Sequence, residues 1–248
     1  MSDVLGWRRL FGVLGPSTNT VVQPDFDDMR VPGVTNHYSR IYTPDVQDVN
    51  NDTFVAATQV IADNTREAIR SVMTCRPDYL VMGMSAVTFY GGKAGAKAFQ
   101  DMIEREGKVG ASIGSHSCTA ALRAYGNIER IAVLSPYYPA ANAQVRSYFE
   151  DEGFTVVQDL PLRCRSFTAI AEFTEQQLMD ALRQLNTPDV QAIVQVGTNL
   201  SMVRLAAEAE KWFGKPVIAI NTATYWHALR ANGIEDKIYG IGRLMSEF

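Results

Sequence analysis

The chain has 248 residues, 46% of them hydrophobic, and a formal net charge of -4, enough apolar material for one large core or two small ones. No basic stripe runs along it, which argues against nucleic acid as the main partner, and no apolar run approaches the roughly 20 residues of a membrane-spanning helix. Met1 to Trp7 carries Asp3 and lacks the long apolar stretch of a secretory signal, so a cytoplasmic location is expected.

Short apolar runs alternate with helical patterns. Candidate strands are Leu10–Leu14, Asn36–Tyr42, Tyr79–Met82, Val109–Ile113, Arg130–Leu134, Thr155–Asp159, Ala192–Val196 and Pro216–Ile220. Between the second and third, Phe54, Ala57, Ile61, Ala68 and Val72 share one helical face. Val145 and Phe149 mark another helix, closed near Gly153. Thr174 with Gln177 forms a capping box ahead of the stripe Leu178, Ala181, Leu182 and Leu185. This alternation predicts mostly parallel sheet between layers of helix.

The chain also echoes itself. The segment from Ala121 to Arg130 resembles that from Ala228 to Lys237, each after an apolar strand and a Ser/Thr-rich stretch. Pro77-Asp78 precedes Tyr79–Gly83 as Pro188-Asp189 precedes Val190–Gly197. Two echoes in the same order point to a duplicated α/β unit.

In open α/β sheets, ligands bind beyond the carboxyl ends of the strands. Those ends carry Gly15-Pro16-Ser17-Thr18-Asn19-Thr20, Gly83-Met84-Ser85, Gly114-Ser115-His116-Ser117, Ser135-Pro136-Tyr137-Tyr138, Gly197-Thr198-Asn199 and Asn221-Thr222-Ala223-Thr224. Any one of them is explained simply as a helix N-cap. Six such clusters, in both echoed halves, point instead to a site for a small anion, above all a carboxylate or its enediolate. Other ligand readings fail. Gly91-Gly92-Lys93 lacks the upstream glycine and following hydroxyl of a phosphate loop. No Gly-x-Gly-x-x-Gly follows the first strand, and Gly83-Met84-Ser85 lacks the last glycine of a nucleophile elbow. Cys75, Cys118 and Cys164 are widely spaced, as are His37, His116 and His227, so reduced thiols and neither metal nor cofactor are expected.

These residues resemble the aspartate/glutamate racemase superfamily, in its arylmalonate decarboxylase and maleate isomerase branch. Pro16-Ser17-Thr18-Asn19-Thr20 is similar to the isomerase motif whose Asn holds a substrate carboxylate. Met82-Gly83-Met84-Ser85, followed by Phe89-Tyr90-x-Gly92, looks like the decarboxylase segment that supplies part of a dioxyanion hole. Tyr137 matches the site tyrosine of the branch. Val196-Gly197-Thr198 sits where the family has its second catalytic cysteine and neighbouring N–H donors, and the tail Tyr239-Gly240-Ile241-Gly242-Arg243-Leu244 is like the decarboxylase ending. The resemblance runs over nearly the whole chain. It implies two cysteines in racemases and isomerases, one from each half, and only the second in the decarboxylase. Here those positions read Gly83 and Val196.

Racemisation needs one group to remove a proton and another to deliver one from the opposite face. Decarboxylation needs less: destabilisation of one carboxylate, donors for the enediolate and one acid. Candidate acids are His116, Tyr137, Tyr138 and Tyr90. His116 has an unperturbed pKa of about 6.5, and its alternative role is a loop histidine bonded to nearby backbone. Tyr137 fits as a donor to the anion. Cys75, Cys164 and His227 read as structural, and Cys118 as helix-start packing.

The expected fold is α/β, with two pseudo-symmetric flavodoxin-like halves: residues 1–118 plus 220–248, and residues 119–219. The expected function is cofactor-independent lyase (decarboxylase) or isomerase chemistry on a small mono- or dicarboxylate through an enediolate. The catalytic set is His116, Tyr137 and Ser85, and the binding set is Asn19, Ser17, Thr18, Gly83, Met84, Val196, Gly197, Thr198, Asn199 and Tyr138. Two alternatives stay open: a hydrolase or hydratase of a small acid derivative, using Ser85, Thr198 or His116, and a catalytically silent carboxylate-binding protein. The expected partner is a small carboxylate substrate, with no nucleic acid and no membrane; assembly into a homo-oligomer is left open.

Overall fold

A computed structural model describes residues 3–47 and 49–248; of the leader reading over Met1 to Trp7, Met1 and Ser2 lie outside the described residues. The chain begins with β1 (Arg9–Pro16), α1 (Val22–Asp28), β2 (Val34–Ile41), α2 (Asn51–Val72), β3 (Tyr79–Met82), α3 (Gly92–Gly107), β4 (Ala111–Ser112) and α4 (Gly114–Tyr125). It continues with β5 (Arg130–Ser135), α5 (Pro139–Asp151), β6 (Thr155–Pro161), α6 (Glu175–Leu185), β7 (Ala192–Gln195), α7 (Val203–Phe213), β8 (Val217–Ala219), α8 (Ile220–Ala231) and α9 (Arg243–Glu247).

Two four-stranded sheets result, ordered β2-β1-β3-β4 and β6-β5-β7-β8. The repeat in topology matches the repeat in sequence: Pro77-Asp78 and Pro188-Asp189 lead into β3 and β7, the third strand of each sheet. The Ala121 and Ala228 echoes end α4 and α8, which pack on each other. Every ladder among the described residues is parallel, so the sheets are more uniform than the mostly parallel arrangement expected. The central strands are covered on both faces, and Phe11, Val13 and Leu14 of β1 and Ile131 to Leu134 of β5 are buried. Such strands read as continuous apolar runs because each face meets a helix layer.

The helices form where caps and stripes agree. The Asn50 side chain accepts from the Asp52 and Thr53 N–H groups at the start of α2, a cap worth about 0.5–2 kcal/mol. The stripe Phe54, Ala57, Ile61, Ala68 and Val72 is buried, each large apolar side chain contributing about 1.5–3 kcal/mol. Thr174 and Gln177 complete their capping box at α6, and its four stripe residues are buried.

Three expectations change. The second strand begins at Val34 because Val34 pairs with Arg9. The fourth shrinks to two residues: α3 runs to Gly107 and Lys108 then takes a left-handed φ of 56°, so the chain rejoins the sheet only at Ala111. The eighth ends at Ala219, because Ile220 already opens α8. Among the described residues, no helix is long and apolar enough to cross a membrane.

Candidate active site

The carboxyl ends of the two sheets face each other across a cavity of about 50 Å³. One water needs about 10–15 Å³ on this scale, so the space is several times that of one water and opens partly toward the surface. Its floor consists of Thr18 and Asn19 after β1, Met84 and Ser85 after β3, Tyr137 after β5, and Gly197, Thr198 and Asn199 after β7. Asn19, Ser85, Tyr137, Thr198 and Asn199 are all at least 95% buried. Among the described residues, no Arg, Lys, Asp, Glu, His or Cys lines the cavity.

Each floor side chain is held by bonds that fix its orientation. Asn19 Oδ1 accepts from the N–H groups of Val21 and Val22 at 3.0 and 2.9 Å, which turns its Nδ2 to donate to Thr198 Oγ1 at 3.0 Å. Asn199 Oδ1 accepts from the Thr20 N–H at 3.0 Å and its Nδ2 donates to the Phe167 carbonyl at 3.0 Å. Ser85 Oγ lies 2.5 Å from Tyr137 Oη and accepts from the Thr198 N–H at 3.3 Å. The Ser85–Tyr137 pair holds two hydroxyl hydrogens and uses one between its own oxygens. The other is left for a bound molecule. Burial pushes the Tyr137 hydroxyl well above its ordinary value, opposed by the hydrogen bond to Ser85. The phenol therefore stays protonated at neutral pH and acts as a donor, not as a base.

Gly197 adopts a φ of 104°, and a Cβ there would stand 2.3 Å from Pro136 Cδ. Only glycine permits this sharp exit from β7, which carries Thr198 beneath Ser85.

The roof is apolar. Phe54, Thr58 and Ile61 come from α2, and Phe167 and Ile170 from the chain after β6. The Phe54 ring sits 5.3 Å from that of Tyr137 and 5.4 Å from that of Phe167, centroid to centroid. Two polar clasps tie the chain leading into α2 to the segment after β6, and a third ties α2 to α5. Asp45 accepts from the Thr168 N–H and hydroxyl, the Val49 N–H donates to the Arg165 carbonyl, and Asn51 Oδ1 accepts from the Ala140 N–H.

Of the residues expected at the site, Tyr137, Ser85, Asn19, Thr18, Met84, Gly197, Thr198 and Asn199 line this one cavity; His116, Ser17, Gly83, Val196 and Tyr138 do not. Gly83 and Val196 lie one residue past β3 and β7. Their N–H groups extend the ladders, to the carbonyls of Leu14 and Leu134 at 2.7 and 2.8 Å. The Ser17 hydroxyl accepts from the Thr43 N–H. Tyr138 caps α5 and packs on Phe54. His116 corrects the picture of a strand-end loop: the chain turns directly from β4 into α4, so His116 belongs to the first turn of a helix. Its Nδ1 pairs with Gln100 Oε1 of α3, and burial holds its imidazole below the usual value. Asn221 to Thr224 likewise fall inside α8 and not in a loop. His227 Nδ1 meets Ser117 Oγ at 3.1 Å and ties α8 to α4. The Tyr90 hydroxyl is buried without a partner among the described residues.

The sequence reading missed the roof. Phe54 and Ile61 were visible only as part of a helix stripe, which reads as core. Phe167 follows a short irregular stretch after β6, Ile170 lies in the short 3-10 turn Thr168–Glu172, and neither carries a periodic signal.

A sequence model of the arylmalonate decarboxylase family matches residues 45–245. The maleate isomerase of Nocardia farcinica is 30% identical over 120 residues, which are 48% of this chain and 48% of that protein; the alignment thus spans about half the length of the curated relative. Solved structures share the fold across the chain. A maleate cis-trans isomerase variant from Nocardia farcinica with a covalently bound succinylcysteine intermediate superposes with a TM-score of 0.87 at 22% identity, covering 97% of this chain and 99% of that one. A liganded arylmalonate decarboxylase variant gives 0.81 at 21% identity, covering 96% and 99%.

Proposed function

Because the chain belongs to the arylmalonate decarboxylase and maleate isomerase family of the Asp/Glu racemase superfamily, we propose that it is a cofactor-independent enzyme that takes a small mono- or dicarboxylate through an enediolate, with decarboxylation as the preferred reaction. The observation that carries this reading is the cavity floor: neutral donors from both halves converge on one space that, among the described residues, no charged side chain lines. A buried carboxylate must be compensated by hydrogen bonds. Here the Asn19–Thr198 and Ser85–Tyr137 groups supply them.

In the proposed reaction, the floor binds one carboxylate, and the second lies toward Phe54, Ile61, Phe167 and Ile170. An apolar surface disfavours that charge and favours its loss as carbon dioxide. The electrons of the broken carbon–carbon bond enter the retained carboxylate, giving an enediolate that the floor donors stabilise. The α-carbon then takes a proton from the Ser85–Tyr137 pair, and solvent reprotonates the pair on product release.

A relative's named intermediate is held on cysteine, but no cysteine lines this cavity. We therefore assign Gly83 and Val196 to the two family cysteine positions and discount two-thiol isomerisation. We also assign residues 1–118 plus 220–248 to one half and 119–219 to the other, since α8 packs on α4, α1, β3 and β4.

A catalytically silent carboxylate binder is the second reading. It is favoured by one observation: among the described residues, no Asp, Glu, His or Cys lines the cavity. Mass-spectrometric identification of a co-purifying acid, then incubation of that acid with the protein in heavy water, separates the two. Deuterium at the α-carbon with release of carbon dioxide supports decarboxylation. An unchanged acid supports the silent binder.

A further inference from the structure

Asn221 is 2% exposed and lines no part of the cavity, yet it touches the floor from beneath. Its Nδ2 donates both hydrogens: one to the Thr198 carbonyl at 3.0 Å, the other to Asp25 Oδ2 at 2.7 Å. Its Oδ1 is buried with no partner among the described residues. A buried acceptor left unpaired is costly. The reverse orientation of the amide would place its oxygen against two acceptor oxygens, so the two donations fix the side chain.

The consequence falls on the next peptide. In a planar trans peptide, the N–H points opposite to the C=O. The Thr198 carbonyl points down to Asn221, so the N–H of the same peptide, that of Asn199, points up toward the cavity that Thr198 and Asn199 line. Among the described residues, that N–H has no acceptor. Thr198 is held at its other groups too: its N–H donates to Ser85 and its hydroxyl accepts from Asn19.

We infer that Asn221 and Asp25 are positioning residues: Asp25 holds the Asn221 amide, Asn221 holds the Thr198 carbonyl, and the Asn199 N–H is thereby presented to the carboxylate of the bound acid. The two residues come from the first turns of α8 and α1. A device below the floor thus aims a backbone donor above it, and neither side chain touches the ligand. Only the last step, contact with an acid, rests on the function proposed above.

The test combines unliganded crystal structures with maleate titration, followed by the NMR shift of the Asn199 amide. In Asn221→Ala the Thr198–Asn199 peptide should rotate, and the maleate Kd should rise at least tenfold. Asp25→Ala leaves α8 untouched and frees the Asn221 amide; it should weaken maleate binding at least threefold. Asp25→Asn keeps an acceptor oxygen and should restore both the peptide orientation and the Kd to within twofold of wild type. An unmoved peptide in folded Asn221→Ala, or an Asp25→Asn protein as impaired as Asp25→Ala, overturns the inference. Should wild type bind no maleate while the peptide still turns in Asn221→Ala, the acid-site reading fails and the positioning role stands.

Discussion

The floor and the roof of the cavity enclose the same space by different physics. On the floor, Asn19, Ser85, Tyr137, Thr198 and Asn199 are each fixed by hydrogen bonds that cross between the strand ends of the two sheets. On the roof, α2 meets the segment after β6 through an aromatic contact, two clasps tie that segment to the chain leading into α2, and a third ties α2 to α5. Directional bonds set where charge can be stabilised, because an oxyanion donor works only at a particular angle and distance. Apolar packing sets how much water and how large a ligand the space admits. Damage to the floor should therefore appear in chemistry and binding, and damage to the roof in stability and ligand size.

Ser85→Ala should separate the two most sharply. It removes the partner of both the Tyr137 hydroxyl and the Thr198 N–H. Loss of one such donor group typically costs about 10²–10³ in rate, so kcat/KM should fall by about that factor with the fold intact. Tyr137→Phe keeps the ring against Phe54 and deletes only the hydroxyl; carboxylate binding should weaken roughly tenfold or more. Steady-state kinetics and calorimetric titration check both. Normal turnover in either variant removes the floor from the chemistry.

Phe54→Ala attacks the roof. The ring is 2% exposed and packs on Tyr137 and Phe167, so its loss should lower stability by about 3–5 kcal/mol. The opened space should admit larger acids and slow decarboxylation about tenfold through entry of water. Thermal unfolding and a substrate series would show it. A rate loss as deep as that of Ser85→Ala would mean that the roof takes part in the chemistry.

The same division explains what could be read before the fold was known. Neutral donors at strand ends are a local signal, and parallel strands bring their carboxyl ends together, so eight of the thirteen expected site residues share the cavity. His116 escaped that logic. Nothing local shows whether a hydroxyl-rich segment after a strand is a loop or a first helical turn, and a helical turn aims the side chain at α3. The roof was illegible for another reason: Phe54 obeys the same 3.6-residue period as core residues. Only tertiary placement shows that this end of the stripe overhangs the sheet.

Beneath the floor, Asp25 gives a smaller, pH-dependent effect. Burial raises its carboxyl to about 6, against the hydrogen bond from Asn221 and the charge of Arg204, with Asp28 adding to the rise. An unfolded Asp titrates near about 3.9. Between these values the folded chain binds more protons than the unfolded one, so this group makes stability fall as pH rises from about 4 to about 6, with no further change above. Asp25→Asn removes the charge and keeps an acceptor. It should gain stability above pH 6, on the order of 2 kcal/mol, and flatten that part of the profile. Denaturant unfolding at pH 4, 6 and 8 measures it; an unchanged slope would show that Asp25 is not held protonated.

The smallest effects should come from the thiols, and here a small effect is informative. Cys75 is exposed at the end of the 3-10 turn that follows α2, Cys118 is buried in α4, and Cys164 is buried after β6. Burial pushes the Cys118 thiol far above its ordinary value and the Cys164 thiol to about 12, so neither is a thiolate near neutral pH, and a thiol that stays protonated is a poor nucleophile and base. None of the three lines the cavity. Each Cys→Ala variant should therefore retain activity within about tenfold, a barrier change of about 1.4 kcal/mol. Cys118→Ala, which removes a buried sulfur, should show the largest drop in melting temperature. Kinetics of the three folded variants, with thiol alkylation of wild type as a control, tests the point. A loss of several orders of magnitude in folded Cys118→Ala would place a thiol in the chemistry and return the protein to the cysteine-based mechanism that the cavity floor argues against.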